Sequence, residues 1–374
     1  MPSSILQIIP SFNAGGVERV TLETVTGLAH SGLAEHHIAS AGGQYVSEIP
    51  TNVTHHILPL TSKNPFKIIV NAWRLHTLIK QQHITIAHAR SRAPAWSALW
   101  ACRMAKVPFI TTYHGTYAGS SRLKKFYNSI MARGDRVVAI SKFILNHIKQ
   151  TYPELSSKVA FIPEGIDTHR FNPMDVTSER IQVARSAFNI PEDATVFLLP
   201  GRLTRWKGQA WFLKSLQKIA STLQQKNVYI ILLGDAQGRE AYYAELTELT
   251  AGLFVHFKTS YDDLPALYAL ADIVFSCSLD PEAFGRVTAE ALSMGRPFIG
   301  TNHGGTVELT NNGAFGTLVT PNIDSELIKA ITEILDQPHD VLIERGENAR
   351  AHICDNYSIE QMLRLTQQLY ESVL

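Results

Sequence analysis

The pattern that most restricts the fold is an alternation of short apolar runs with helix-like stretches, occurring in two successive series. "ILQIIP" (5–10) leads through "SFNAGG" into "VERVTLETVTGLAHSG", which reads as strand, glycine loop and helix. The series continues with "ITIAHAR" (84–90), helical "APAWSALWACRMA", "VPFITTYHG" (107–115), a basic helix, "RVVAIS" (136–141) and "KVAFIP" (158–163). After the irregular stretch "EGIDTHRFNPMD" (164–175) a second series opens. It runs through "TVFLLPGR" (195–202), "VYIILLGD" (228–235), "FVHFK", "ADIVFSCS" and "PFIGTN", with helices between them. Short apolar strands alternating with helices require parallel, doubly wound sheets covered on both faces. The expectation is an α/β protein of two Rossmann-like domains, 1–168 and 169–355. The final helix, 356–374, is expected to pack back across their junction. In such sheets ligands bind at the carboxyl ends of the strands, and two facing sheets would share one cleft.

Composition narrows the function classes. The 374 residues carry a formal net charge of +1, with 45% hydrophobic and 18% charged residues, which suits a globular protein and gives no global reason to bind nucleic acid. Three scattered cysteines form neither a disulfide framework nor a zinc knuckle. The first residues lack a basic leader and a membrane-length apolar run, so a cytoplasmic protein is expected. No Asp-x-Asp, HExxH, CxxC, GxSxG or Walker A sequence occurs, so phosphate charge is expected to be met by Arg and Lys with no metal and no cofactor.

The loops that end the strands carry the candidate chemistry. Gly15 and Gly16 in "NAGGVE" would let backbone amides approach an anion at a helix mouth, or simply make a tight turn. "PGRLTRWKGQ" (200–209) places Arg202, Arg205 and Lys207 at a strand end, the forked donor and point charge that a diphosphate needs. Gly234 in "LLGDAQGRE" and the glycine pair of "TNHGGTVE" end two further strands, and His114 ends another in "TYHGTY". "PEAFGRVTAE" (281–290) sets Glu282 at a helix mouth and Glu290 two turns along. "SRLKKFYNSIMAR" (121–133) has apolar residues at i, i+3, i+4, i+7 and i+8 among cations. It suits either an anionic membrane surface or an ordinary domain face.

Together these motifs resemble the retaining GT-B glycosyltransferases of the group 1 and family 4 type, which include bacterial lipopolysaccharide glycosyltransferases. The resemblance spans nearly the whole chain, from the first "GG" through "IPEGID" and "GR…KG" to "EAFGRVTAEALSMGRPFIGTNHGG". It departs at Glu164, where asparagine is commoner. The resemblance implies a nucleotide-diphosphate sugar as donor, UDP favoured over GDP. Glu282 would meet the donor sugar and Glu290 the ribose, with Ala283, Phe284, Gly285 and Arg286 lining the sugar and phosphates. Arg202 and Lys207 would hold the diphosphate, and His114 would lie near the sugar's primary hydroxyl. A saccharide or lipid-linked acceptor is expected on the first domain, at His88, Arg90 and Arg92 in "HARSRAPAW", within envelope polysaccharide assembly. A sugar-nucleotide epimerase of the same architecture and a non-catalytic sugar-nucleotide sensor are the alternatives.

Overall fold

The computed structural model describes residues 3–13, 15–30, 32–117 and 121–374. The chain forms two compact units, Met1–Gly165 with Ile359–Leu374, and Ile166–Ser358.

The first unit contains β1 (Ser3–Ile8), β2 (Ala34–Ser40), β3 (Val53–Ile57), β4 (Ile86–Ala89), β5 (Phe109–Tyr113), β6 (Arg136–Ala139) and β7 (Val159–Phe161). They make a parallel sheet in the order β3-β2-β1-β4-β5-β6-β7. In β1 every residue after Ser3 is buried, as a strand covered on both faces must be. The chain grows outward from β1 to β3, then returns to the other side of β1 with β4. The switch point therefore lies between β1 and β4; Gly15 and Arg90 lie in its two outgoing loops, and Gly16 and Arg92 open the helices that follow.

The last helix, Ile359–Glu371, belongs to this first unit. Met362, Leu369 and Tyr370 join the core of Ile5, Val20, Ile86, Ile110 and Val138. A buried polar chain fastens it. The Tyr370 hydroxyl lies 2.7 Å from Gln7 Nε2 and 2.8 Å from His88 Nδ1, while His88 Nε2 lies 2.6 Å from Thr112 Oγ1. Arg90 donates from Nε to Gln7 Oε1 at 2.9 Å and from Nη2 to Thr24 at 3.3 Å.

The amphipathic stretch at 121–133 is divided. A helix covers Arg122–Asn128 and a tighter 3₁₀ turn covers Ser129–Ala132. Ile130 and Met131 are in the core, whereas Leu123 and Phe126 face solvent. Among the described residues no helix is long and apolar enough to cross a membrane.

Strands β2 and β3 carry paired histidines, "HH" in each. His37 Nδ1 lies 3.1 Å from His56 Nε2, and Ser40 Oγ lies 2.8 Å from His55 Nε2. Burial, reinforced by the neighbouring His37, lowers the His36 pKa to about 4. Unfolding then takes up a proton between that value and the ordinary 6.5. Stability is full above pH 6.5, falls as pH drops through this window, and levels off below about 4. His36 alone should account for about 3 kcal/mol of the loss. Urea titrations across this range should show His36→Asn with a flatter acid limb; an unchanged slope contradicts the assignment.

The second unit contains β8 (Thr195–Pro200), β9 (Val228–Leu233), β10 (Phe254–Lys258), β11 (Ile273–Ser276), β12 (Phe298–Thr301) and β13 (Thr317–Val319). Its parallel sheet has the order β10-β9-β8-β11-β12-β13. Strand β8 shows the same burial as β1, and Phe197, Phe212 and Phe275 pack ring to ring in the core. The switch point here is between β8 and β11. The loops leaving those two strands are the "GRLTRWKG" and "CSLDPEAFG" segments.

Candidate functional site

At the carboxyl end of β8 the chain turns through Gly201 and exposed Arg202 into a 3₁₀ turn, Arg205–Lys207. Gly208 ends that turn at φ 74°, and a Cβ there would run into the Cys277 carbonyl oxygen. The Leu279 amide donates to the Trp206 carbonyl at 2.6 Å. These two contacts bind the β8 loop to the β11 loop and bring Lys207 beside Glu282. Arg205 instead pairs with Glu245 at 2.7 Å.

Glu282 is bound on one carboxylate oxygen by three donors. Its Oε1 accepts from Lys207 Nζ at 2.8 Å, Ser276 Oγ at 3.2 Å and Ser278 Oγ at 2.5 Å, with the side chain only 10% exposed. Burial alone would raise this carboxyl, but Lys207 and the two hydroxyls outweigh it and hold the pKa below its ordinary value. The glutamate is therefore an anion with a cation against it.

The glycine pair after β12 shapes the same loop from behind. Gly305 donates its amide to the Glu282 carbonyl at 2.8 Å, and a Cβ on Gly305 would strike the Phe284 carbonyl. Gly304 sits at φ 65°, and its Cβ position is 2.5 Å from the Glu282 carbonyl oxygen. Thr301 Oγ1 donates to the Ser278 carbonyl at 2.8 Å, and His303 Nε2 lies 2.9 Å from the same oxygen.

Glu282-Ala283-Phe284 then leads through Gly285, at φ 105°, into the helix Arg286–Ser293. No side chain caps that helix start among the described residues. Its first-turn amides and the positive end of its dipole favour negative charge at this helix start. Two turns along, Glu290 Oε2 accepts from the Tyr268 hydroxyl at 2.8 Å, and its Oε1 lies 3.7 Å from Arg286 Nε. Burial, with Glu290 alongside, raises the Tyr268 phenol well above its ordinary range, so it remains a donor to the carboxylate. Gly234 ends β9 where a Cβ would meet the Gly201 carbonyl, so it lets the loops after β8 and β9 approach closely.

In the first unit, Gly16 opens the helix Gly16–His30, and the Gly15 carbonyl accepts from the Arg19 amide at 3.0 Å. His114 follows β5 with its side chain 6% exposed. Its Nδ1 lies 3.8 Å from Glu164 Oε2, and its Nε2 is buried without a hydrogen-bond partner among the described residues. Burial lowers its pKa, against the opposing pull of Glu164, so the imidazole is neutral near pH 7. The ring lines a cavity of about 20 Å³, room for about one water, with Thr24, Arg90, Thr112 and Glu164.

The three residues expected at an acceptor separate here. Both ring nitrogens of His88 are engaged internally and Arg90 is buried in the same chain, so the structure uses these two to hold the last helix. Arg92 is half-buried, donating to Asn128 Oδ1 at 2.7 Å and lying 4.5 Å from the Tyr117 ring centre. Sequence reasoning missed Ser276, Ser278 and Tyr268; the two serines flanking the cysteine in apolar "VFSCS" were the available signal. Among the described residues no group of three or more His, Cys, Asp or Glu could hold a metal ion.

Two sequence-family models match the chain: Glycosyltransferase Family 4 over residues 14–170 and Glycosyl transferases group 1 over residues 181–352. A crystal structure of a glycosyltransferase from Rickettsia africae is similar over 100% of this chain and 98% of its own, at 33% identity and a TM-score of 0.89. Anabaena HepE, solved with UDP and glucose, is similar over 98% of this chain and 99% of its own, with TM-score 0.84 and 22% identity. The Salmonella typhimurium lipopolysaccharide 1,2-N-acetylglucosaminetransferase is 25% identical over 61% of this chain and 59% of its own length. The chain spans about 60% of the length of curated relatives such as this one. Two Rossmann-like units with these switch-point loops define the GT-B class. The chain belongs to the GT-B glycosyltransferases, with a family 4 domain followed by a group 1 domain.

Proposed function

We propose that the protein transfers a hexose from a UDP-sugar to a hydroxyl of a saccharide or lipid-linked acceptor, with retention of configuration and without a metal ion. The observation that carries this reading is the Lys207–Glu282 pair at the β8/β11 switch point, beside the start of the helix Arg286–Ser293. The bond from the anomeric carbon to the phosphate oxygen breaks as the acceptor oxygen bonds on the same face. The departing phosphate oxygen takes the acceptor's proton. Negative charge then grows on the diphosphate, where Lys207, Arg202 and the helix amides stabilise it. Glu282 holds hydroxyls of the sugar as its ring becomes oxocarbenium-like, and Glu290 holds the ribose. Neutral His114 donates to or accepts from the sugar's primary hydroxyl, while Gly15 and Gly16 approach the donor and Arg92 the acceptor. The UDP in Anabaena HepE supports the choice of base. The Salmonella lipopolysaccharide relative supports an envelope acceptor, reached at an anionic membrane surface from the cytoplasm.

The test is a panel of UDP- and GDP-sugars, read first by thermal shift and then by transfer to envelope saccharides in excess EDTA. A UDP-sugar at 100 times its Kd should stabilise the fold by about 2.7 kcal/mol. Transfer should proceed undiminished in EDTA; loss of activity restored by Mg²⁺ or Mn²⁺ contradicts metal independence. Conversion of the donor alone to an altered monosaccharide would make the protein an epimerase instead.

A further inference from the structure

The first unit carries an apolar face that its core does not use. The helix Pro65–Gln81 buries Ile68, Asn71, Ala72, Leu75, Leu78 and Ile79. On its other side Phe66, Ile69, Val70 and Trp73 recur at i, i+3, i+4 and i+7, all exposed, with Phe66 at 80% and Trp73 at 60%. A helix apolar on both sides has one face without a partner in its own domain.

This face continues across the neighbouring helix. Arg92–Ala105 packs on Pro65–Gln81, with Ser97 Oγ donating to the Ile68 carbonyl at 2.9 Å. It exposes Trp100 and Met104. Trp96 then joins Trp100 to Phe126, which stacks on it at 5.2 Å, and Leu123 beyond is 83% exposed. The stranded half of the 121–133 stripe is thus the rim of a larger patch.

Charge says what covers it. From residue 49 to residue 134 the chain has 12 Lys and Arg and no Asp or Glu, an 86-residue stretch hidden by the overall charge of +1. The first unit carries 18 Lys and Arg against 9 Asp and Glu, a net +9. The second carries 16 against 24, a net −8. Exposed Lys63, Lys67 and Arg74 flank the apolar row, and Arg122, Lys124 and Lys125 flank its rim. Two copies of this face would bring like charges together, which disfavours self-association. The aliphatic Ile69, Val70 and Leu123 set among the rings offer a nucleic acid neither a stacking platform nor a base-edge partner. Tryptophan and phenylalanine on a helix edged with lysine suit the interface of an anionic bilayer.

We infer that Phe66, Ile69, Val70 and Trp73, extended by Trp100, Phe126 and Leu123 and edged by lysines, form a docking face for an anionic lipid surface. This deepens the membrane part of the proposed function, and it is read independently of sugar transfer. The full chain is sedimented with vesicles of phosphatidylcholine alone and with vesicles containing about 30% phosphatidylglycerol. Binding should require the anionic lipid and weaken as salt rises from roughly 0.1 to 0.5 M. Phe66→Ser with Trp73→Ser should weaken it by at least about tenfold through lost apolar insertion. Lys63→Glu with Lys67→Glu should weaken it by roughly 30-fold, as two surface cations are lost. All four side chains are exposed, so melting temperature and UDP binding should not move. Wild-type vesicle binding in both double variants, or equal binding to the two lipids, overturns the inference. So does a concentration-dependent dimer abolished by Phe66→Ser with Trp73→Ser. Vesicle binding by a protein that ignores UDP upholds this inference and contradicts the proposed transfer.

Discussion

Glu282→Ala is expected to lower kcat by about 10²–10³, the effect of removing one preorganised electrostatic contact, while UDP affinity stays unchanged or tightens slightly. Glu282 holds Lys207 and two serine hydroxyls on one buried oxygen, so its position is fixed before any donor arrives. A carboxylate fixed in this way against a sugar matters most when positive charge develops on the ring. Its removal also frees Lys207 from a competing anion, which cannot weaken the hold on a diphosphate. Glu290→Ala should differ in kind. In the proposed reaction Glu290 holds the ribose, a part of the donor unchanged by transfer, so its loss should raise donor KM and spare kcat. Steady-state kinetics separate the two. Near-normal kcat in Glu282→Ala, or normal donor KM in Glu290→Ala, would break the assignment.

Lys207→Ala is expected to weaken UDP binding by about 1.5–3 kcal/mol, the range for a hydrogen bond to a charged group. A second consequence comes from the electrostatics. Lys207 is the strongest influence holding the Glu282 carboxyl down against burial. Without it the Glu282 pKa rises, and the acid limb of the kcat profile should move to higher pH. The linkage has the same sign. A carboxyl with a depressed folded-state pKa adds stability above its unfolded pKa, which is lost as pH falls. Lys207→Ala should forfeit that increment at neutral pH, and chemical denaturation there reads the loss.

Much of this was legible in the sequence, for reasons that differ by residue. Runs such as "TVFLLP" and "ILQI" are buried on both faces, so their unbroken apolar character marks central parallel strands. The glycines of "FGR" and "HGG" are readable because positive φ or a close carbonyl leaves no room for a side chain, as at Gly285 and Gly305. The coupling of Lys207 to Glu282 was not legible, since 75 residues separate them and only the adjacency of β8 and β11 joins them. The partners of His88 and Arg90 were hidden for a related reason. Polar residues at a switch-point strand end look available to a ligand, and here a tyrosine 282 residues further along takes up the histidine. The outward row on Pro65–Gln81 escapes a periodicity reading because the inward row already satisfies it.

Calorimetric titration of UDP and UMP into the wild-type protein and Lys207→Ala is the most direct test of diphosphate binding at Lys207. If the β8 and β11 loops hold a diphosphate, the wild type should prefer UDP to UMP by at least about tenfold, and Lys207→Ala should bind the two within about twofold. Equal affinities of the wild type for both nucleotides, or an undiminished preference in Lys207→Ala, would contradict it.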